Sequence, residues 1–538
     1  MTYQITPLGG FGEIGANMVA FESKDAGFII DCGLLFPYEE AFDINYLIPS
    51  FDHLDPKKFL TLVITHAHED HIGAIVHVVK WNPRIVIYAS SFAQNLILRR
   101  LKEVQLSVKM QDLNHLDQIT IGESQSEWVI RPISVNHSIP QPFGILVTSS
   151  YLNIAIYYCS DFKSFPENVN REDSLLLKKL MAPFKRRLAL IDSTNILNDR
   201  ATGQEEDLLP ELENVIQTPG CLLFTLFTSN IERLNTLFRL AKKHDRQIVA
   251  MGRSVHNSLL AAIEVGIAHF AETDYIDADS IEHFSRERLL FIVAGCQGDF
   301  LSALRRVSYG EDTKVKLGPG DRVVFSSRVI PGNEDKITRM YNKITLQGAE
   351  VITADDKLIH CSGHPGKPDI IKLINHNDFT DYIPVHGESL FLKRHEQFVN
   401  KHYPNIKTYL VNNGQKITLK PEQITIDANE FWKEPIIIHG KGIELERSQV
   451  SQRRKIAAMG SMYLSVFNKD QHWILDFYGL PLNLELQKTI WIDKLKDLLE
   501  FEMKGKSTAD KAEFLRIKLR QLAGMELGYR PLSFVHFM

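Results

Sequence analysis

Residues 64–74 read ITHAHEDHIGA, and positions 66 to 71 crowd together His66, His68, Glu69, Asp70 and His71, five side chains able to bind a metal or carry a proton. The flanking sequence fixes where this group sits. FLTLVIT before it is a short, apolar, β-branched run that reads as a buried strand. IGAIVHVVKW after it repeats apolar residues at helical spacing, which puts Asp70 and His71 at a helix start, where the helix dipole favours a carboxylate. The motif therefore occupies a strand-to-helix loop. Imidazole and carboxylate together suit zinc or manganese. His66 and His68 can face one point while Asp70 and His71 turn toward a neighbouring one, the layout of two adjacent metals. In a chain with 20 His, a lone His-x-His pair is more often an accident than a ligand pair. HxHxDH at a strand mouth is far less easily explained by chance, and its spacing is not that of the HxxEH-type zinc helix. Glu69 is expected to face solvent or a supporting partner rather than a metal.

Two metals need more ligands, so further His or Asp residues should end other strands. His137 follows a β-rich stretch in RPISVNHSIP, Asp161 ends IAIYYCSDF, where its carboxylate could bridge both ions, and His386 ends DYIPVHGE. Thiolates are poor candidates: the five cysteines, Cys32, Cys159, Cys221, Cys296 and Cys361, are widely spaced and contain no CxxC. GGFGEIG offers Gly10, Gly12 and Gly15 in GxGxxG spacing with Asp31 downstream. A dinucleotide site needs a helix after those glycines, whereas NMVAFESKDAGFIIDCG reads as strand, turn at Lys24–Gly27, and strand. The glycines are instead expected to form a tight loop near the metals.

A chain of 538 residues suggests about three domains. It has no apolar run of membrane-spanning length, and MTYQITPLGGFGEIG does not read as a secretory signal, so a soluble cytoplasmic protein is expected. A net charge of −5 argues against a basic coat for gripping nucleic acid, though not against a basic groove.

HAHEDHIGA, NHSIP, SDF, DSTN at 192–195, HCSGH at 360–364 and PVHGE at 384–388, taken together and in this order, resemble the metallo-β-lactamase-fold nucleases of the β-CASP group, and within it the bacterial ribonuclease J family. GGFGEIG, LFTSNIERL, GRS at 252–254 and FSSRVIPGNE agree as well, so the resemblance covers nearly the whole chain. It implies an α/β fold, an αββα sandwich with an inserted β-CASP α/β domain and a small C-terminal α+β domain. The expected boundaries are 1–204 and 351–425 for the sandwich, 205–350 for the insertion, 426–447 for a linker and 448–538 for the C-terminal domain. By the resemblance, His66, His68 and His137 would hold one metal and Asp70, His71 and His386 the other, with Asp161 bridging. Asp70, Asp192 and His364 are the implied catalytic residues, and Ser229, Asn230, Arg253, Ser254, His360, Ser362 and His364 match segments that bind RNA and its 5′-monophosphate.

The implied cofactors are two divalent ions per chain, zinc or alternatively manganese or magnesium. The implied partners are single-stranded RNA, a second or further copies in a dimer or tetramer, and other RNA-decay proteins. The implied reaction is attack of metal-activated hydroxide on a phosphodiester, run 5′-to-3′ and also endonucleolytically. A DNA nuclease of the same group and a small-molecule ester or lactone hydrolase are the alternatives, as is a binding subunit with a decayed site. The insertion and the DSTN and HCSGH segments count against the small-molecule enzyme, and the complete ligand set against decay. The chain departs from the family after SGH, where Pro365, Gly366, Lys367, Pro368 and Asp369 replace a second glycine and a Gln-Glu-Glu run. Two prolines there remove donors and stiffen the backbone beside His364.

Overall fold

The computed structural model describes residues 3–37, 44–163, 171–299, 301–330, 332–430, 434–467 and 472–538. The chain divides into two compact units, one of residues 1–36 and 47–435 and one of residues 37–46 and 436–538.

The larger unit is built on two sheets packed face to face. The first orders its strands Gln423–Glu430, Gln415–Lys420, Tyr3–Gly9, Met18–Glu22, Gly27–Ile30, Phe59–Val63, Val86–Ala89 and Lys109–Asp112. The second orders Lys407–Thr408, Asp381–Val385, Arg186–Asp192, Ile154–Cys159, Phe143–Ser149, Trp128–Ser134 and Ile119–Ile121. Alternate residues of each strand meet between them: Ile5, Phe21, Phe28 and Val63 from the first, and Ile130, Val147, Ile156, Leu190 and Ile383 from the second, share one core. The intervening residues Leu146, Tyr157, Ala189 and Tyr382 turn to the other side of the second sheet. There Leu177, Ile370, Leu373 and Val399 of three helices cover them. This is the expected αββα arrangement.

A third sheet, all parallel and ordered Tyr275–Asp277, Gln247–Met251, Leu289–Val293, Leu222–Thr225, Arg322–Phe325 and Glu350–Ile352, forms the inserted domain. Its central strands LLFT and LLFIV are buried along their whole length, as parallel strands covered by helices on both faces must be.

In the smaller unit, strand Ser461–Phe467 lies between His472–Tyr478 and Leu532–Phe537. Helices Lys488–Glu502 and Thr508–Leu527 supply Trp491, Leu495, Leu515 and Leu519 to its core. A hairpin, these two helices and a last strand thus make up the α+β domain; residues 468–471, between the hairpin strands, lie outside the described residues. Of residues 426–447, expected as a linker, 431–433 lie outside the described residues, and 426–430, 436–439 and 443–445 are strand. Gln423–Glu430 extends the first sheet because Ile424 and Ile426 alternate toward its core, and Ile436–His439 begins the smaller unit. Among the described residues no helix is long and apolar enough to cross a membrane.

Candidate metal centre

The sandwich topology brings the strand-end residues together. Strands Ile154–Cys159, Arg186–Asp192 and Asp381–Val385 are parallel neighbours, so Asp161, Asp192 and His386 emerge at one edge of the second sheet. Trp128–Ser134 runs in the same direction, two antiparallel steps away, and delivers His137 to that edge. In the first sheet Gly27–Ile30 and Phe59–Val63 are parallel, so Asp31 and the HAHEDH loop leave their ends side by side.

Two clusters result. Ligand atoms of His66, His68 and His137 lie within 4.8 Å of one another, and so do those of Asp70, His71, Asp161 and His386. Asp161 joins them: its Oδ2 is 3.0 Å from His71 Nε2 and its Oδ1 3.7 Å from His137 Nε2. His364 and Asp192 border both, with His364 Nδ1 2.8 Å from Asp192 Oδ2 and 3.6 Å from Asp161 Oδ1. All seven residues read as ligands, and both further catalytic candidates, are thus brought to one place.

The surrounding hydrogen bonds assign each ring's tautomer. The Thr65 hydroxyl donates to Asp31, so its oxygen accepts from His66 Nδ1–H at 3.0 Å and leaves His66 Nε2 as a lone pair. His137 Nδ1–H donates to Gly363 O at 2.6 Å, which leaves His137 Nε2 likewise. His68 Nδ1 faces both lone pairs at 3.1 Å and has one proton at most to offer. A cation satisfies all three nitrogens; a hydrogen bond cannot. In the second cluster His71 Nδ1–H donates to Asp31 Oδ2 at 2.8 Å, and His386 Nδ1–H to Thr194 Oγ1 at 2.8 Å, so both rings present Nε2 inward. Asp161 Oδ2, buried, makes no well-directed hydrogen bond. The donor set fits divalent cations.

Charge separates the clusters. Burial, with the neighbouring His71 cation, pushes His66 well below the ordinary histidine value. Burial likewise takes His68 to about 4 and, with His68 beside it, His137 to about 3, so these rings are neutral. Burial would depress His71 and His386 too, but carboxylates outweigh it. Asp161, Asp70 and Asp31 raise His71 well above its usual value, and Asp161, Asp192 and Asp70 bring His386 to about 10. Asp70 and Asp161 are held low against their own burial, Asp70 chiefly by His71 and Asp161 by His386 and His71.

Asp31 and His386 take the left-handed backbone region, at φ 60° and 52°, as residues fixed by a functional site often do. The glycine-rich loop closes over the motif. Gly10 O accepts from His386 N, Asn17 Nδ2 donates to Asp70 O at 3.1 Å, and a Cβ on Gly33 would stand 1.6 Å from Asp70 O. Glu69 turns outward and pairs with Arg100. Pro368 fits, because it falls in the first turn of helix Lys367–His376, where a missing N–H is harmless, and Asp369 Oδ2 accepts from Gly366 N at 3.0 Å.

The residues read as a phosphate pocket are more dispersed. Asn230 caps helix Ile231–Lys243 by accepting from Arg233 N, and donates to Glu205 at 3.1 Å, so its side chain serves the protein itself. Ser362 Oγ accepts from His364 N, Ser254 and Arg253 are exposed at the start of helix Arg253–Glu264, and Ser229 is half-buried. His360 has a buried, unpartnered Nδ1 and is held to about 3 by burial and then by Arg233 and Arg328. Sequence reasoning passed over Thr65, Asn17 and Thr194, and met Asp31 only as the acid downstream of the GxGxxG glycines. Asp31 carried a signal, since it ends the strand run FIID as the candidate ligands end theirs.

Residues 11–125 match the metallo-beta-lactamase superfamily and residues 219–344 the family described as ribonuclease J, beta-CASP domain. The chain is 30% identical over 464 residues to ribonuclease J of Synechocystis sp., covering 85% of this chain and 71% of that one. It is also 30% identical over 462 residues to ribonuclease J 1 of Streptococcus pyogenes, covering 84% and 81%. A solved structure of a protein of unknown function from Enterococcus faecalis V583 shares the fold, with a TM-score of 0.56 at 17% identity over 78% of this chain and 100% of that one. Agreement in sequence along most of both chains, together with the matches to the two domain families, makes this protein a member of the ribonuclease J family.

Proposed function

We propose that the chain is a two-metal ribonuclease that hydrolyses single-stranded RNA from its 5′ end and also cuts internally. The observation that carries this is the pair of clusters joined by Asp161, with ring tautomers set by Thr65, Asp31, Gly363 and Thr194 so that Nε2 of four histidines and Nδ1 of His68 point inward. His66, His68 and His137 would hold one ion and Asp70, His71 and His386 the other, with Asp161 shared. Zinc suits the histidine-rich set, and manganese the carboxylate-bearing one. Divalent ions held there supply Lewis acidity and a water of lowered pKa, as phosphodiester hydrolysis requires.

The chain's own groups supply the proton. Burial would lower His364, but the Asp192 carboxylate 2.8 Å away outweighs it and raises it above the ordinary histidine value, which favours the protonated ring. Such a group can protonate the leaving 3′-oxygen. Asp192, fully buried, holds that ring and meets His386 Nδ1 at 3.6 Å, an orienting role rather than a proton-accepting one. For the 5′-phosphate the supporting observations are the buried cations Arg233 and Lys163 beside a single buried carboxylate, Glu205, next to His360. This surplus positive charge favours an anion.

The test uses one single-stranded RNA, labelled at its 3′ end and carrying a 5′-monophosphate, 5′-triphosphate or 5′-hydroxyl. Progressive shortening of the monophosphate form alone supports a 5′-to-3′ exonuclease with a phosphate pocket. Internal cuts indifferent to the 5′ group would retain the metal reading and discard the pocket. No cleavage of any form would turn attention to DNA and small esters.

A further inference from the structure

Away from the metal clusters lies a second buried polar group. Arg233, 1% exposed, donates Nε to Glu205 Oε2 at 2.6 Å and Nη2 to Glu205 Oε1 at 2.9 Å. Its Nη1 donates to Ser326 Oγ at 2.6 Å and to Ile359 O at 3.1 Å, and the Ser326 hydroxyl donates to Ile359 O at 2.7 Å. Cys361 Sγ accepts from Lys163 Nζ at 3.1 Å, and its thiol, which burial pushes up to about 11, donates to Glu205 Oε1 at 3.2 Å. Two cations and one anion taken out of water are a weak source of stability, since apolar residues of the same volume would serve as well. A bidentate guanidinium is, however, strongly directional. What it directs is the segment 359–364. Ile359 and Cys361 are pinned here, Gly363 O is pinned by His137, and His364 O accepts from Thr202 Oγ1 at 2.8 Å.

We infer that Arg233 and Glu205 are positioning residues of the reaction: from the inserted domain they clamp the segment 359–361 and so set the place of His364 against Asp192 and the metal clusters. The inference rests on the proposed role of His364. A displacement of about 1 Å at such a group costs on the order of 100-fold in rate.

The test is Arg233→Gln, Arg233→Lys and Glu205→Gln in the full-length, metal-loaded protein. The expected result is a kcat per folded molecule lowered about 10- to 100-fold in Arg233→Gln. Metal content should hold, with partial recovery in Arg233→Lys. A second readout needs no activity: alkylation of Cys361 by iodoacetamide, mapped by mass spectrometry, should accelerate at least tenfold while buried Cys32 and Cys159 stay protected. Faster labelling of Cys361 with unchanged kcat would overturn the inference, as would unchanged labelling and kcat together. Should Arg233→Gln expose all five cysteines and so fail to fold, the near-isosteric Glu205→Gln decides by the same criteria. A wild-type protein that leaves RNA intact would sink the nuclease reading, and the labelling would still decide the clamp.

Discussion

Asp31→Asn should weaken one metal position and spare the other. Asp31 is fully buried and accepts from Thr65 N at 2.8 Å, from the Thr65 hydroxyl at 2.8 Å and from His71 Nδ1–H at 2.8 Å. An asparagine keeps the Thr65 N bond by placing its carbonyl there, which points its NH2 group at His71 Nδ1. That nitrogen must then accept, and the ring proton moves to Nε2, the atom 3.0 Å from Asp161 that the second cluster presents inward. The imidazole loses its ligand lone pair without any change in backbone or volume. Changes of this kind beside a metal ligand lower affinity about 10- to 100-fold, or about 1.4 to 2.8 kcal/mol at 1.4 kcal/mol per tenfold. The assay is titration of metal-free protein with zinc or manganese by calorimetry, resolving two binding steps. One step should weaken by that factor while the step due to His66, His68 and His137 holds. Two unchanged steps would refute the assignment of His71 Nε2 as a ligand atom and of Asp31 as its orienting partner.

His68→Ala and Asp70→Ala should each abolish hydrolysis while circular dichroism and melting of the metal-free protein stay near wild type; activity equal to wild type in either would break the two-metal reading. His364→Ala should slow turnover by about 10²- to 10⁴-fold with both ions retained, as removal of a proton donor does; loss of an ion instead would make His364 a ligand. Metal-free protein should lose stability as pH falls below about 6.5. There the unfolded chain protonates histidines while His66, His68 and His137 stay neutral in the fold, the last two down to about 4 and 3. Each such group contributes up to about 1.4 kcal/mol per pH unit across that window, and His137→Gln should flatten the fall in melting temperature.

The sequence made the sandwich legible wherever a candidate ligand ended an apolar run, because parallel strands of one sheet share an edge and their ends must converge. His137, Asp161 and His386 were found by that rule, and Asp31 obeys it equally. Its spacing from the glycines drew attention to a nucleotide motif instead. Tautomer partners such as Thr65 and Thr194 are small polar residues common everywhere, and only the fold shows their oxygens beside a ring nitrogen. Arg233 was hidden for a different reason. On the helix IERLNTLFRLAKK it reads as one more solvent-facing charge, and its burial is decided by Glu205, Ser326 and Ile359, which are 28, 93 and 126 residues away. The strand Gln423–Glu430 was not legible because QITIDANE is polar on one face, as an edge strand is.

The measurement that bears most directly on the account is RNA hydrolysis during stepwise metal restoration. Protein stripped by a chelator should leave 5′-monophosphorylated single-stranded RNA intact, and activity should return with zinc or manganese and level off at two equivalents per chain. Hydrolysis by the stripped protein, or saturation at one equivalent, would contradict a centre in which Asp161 joins two working ions.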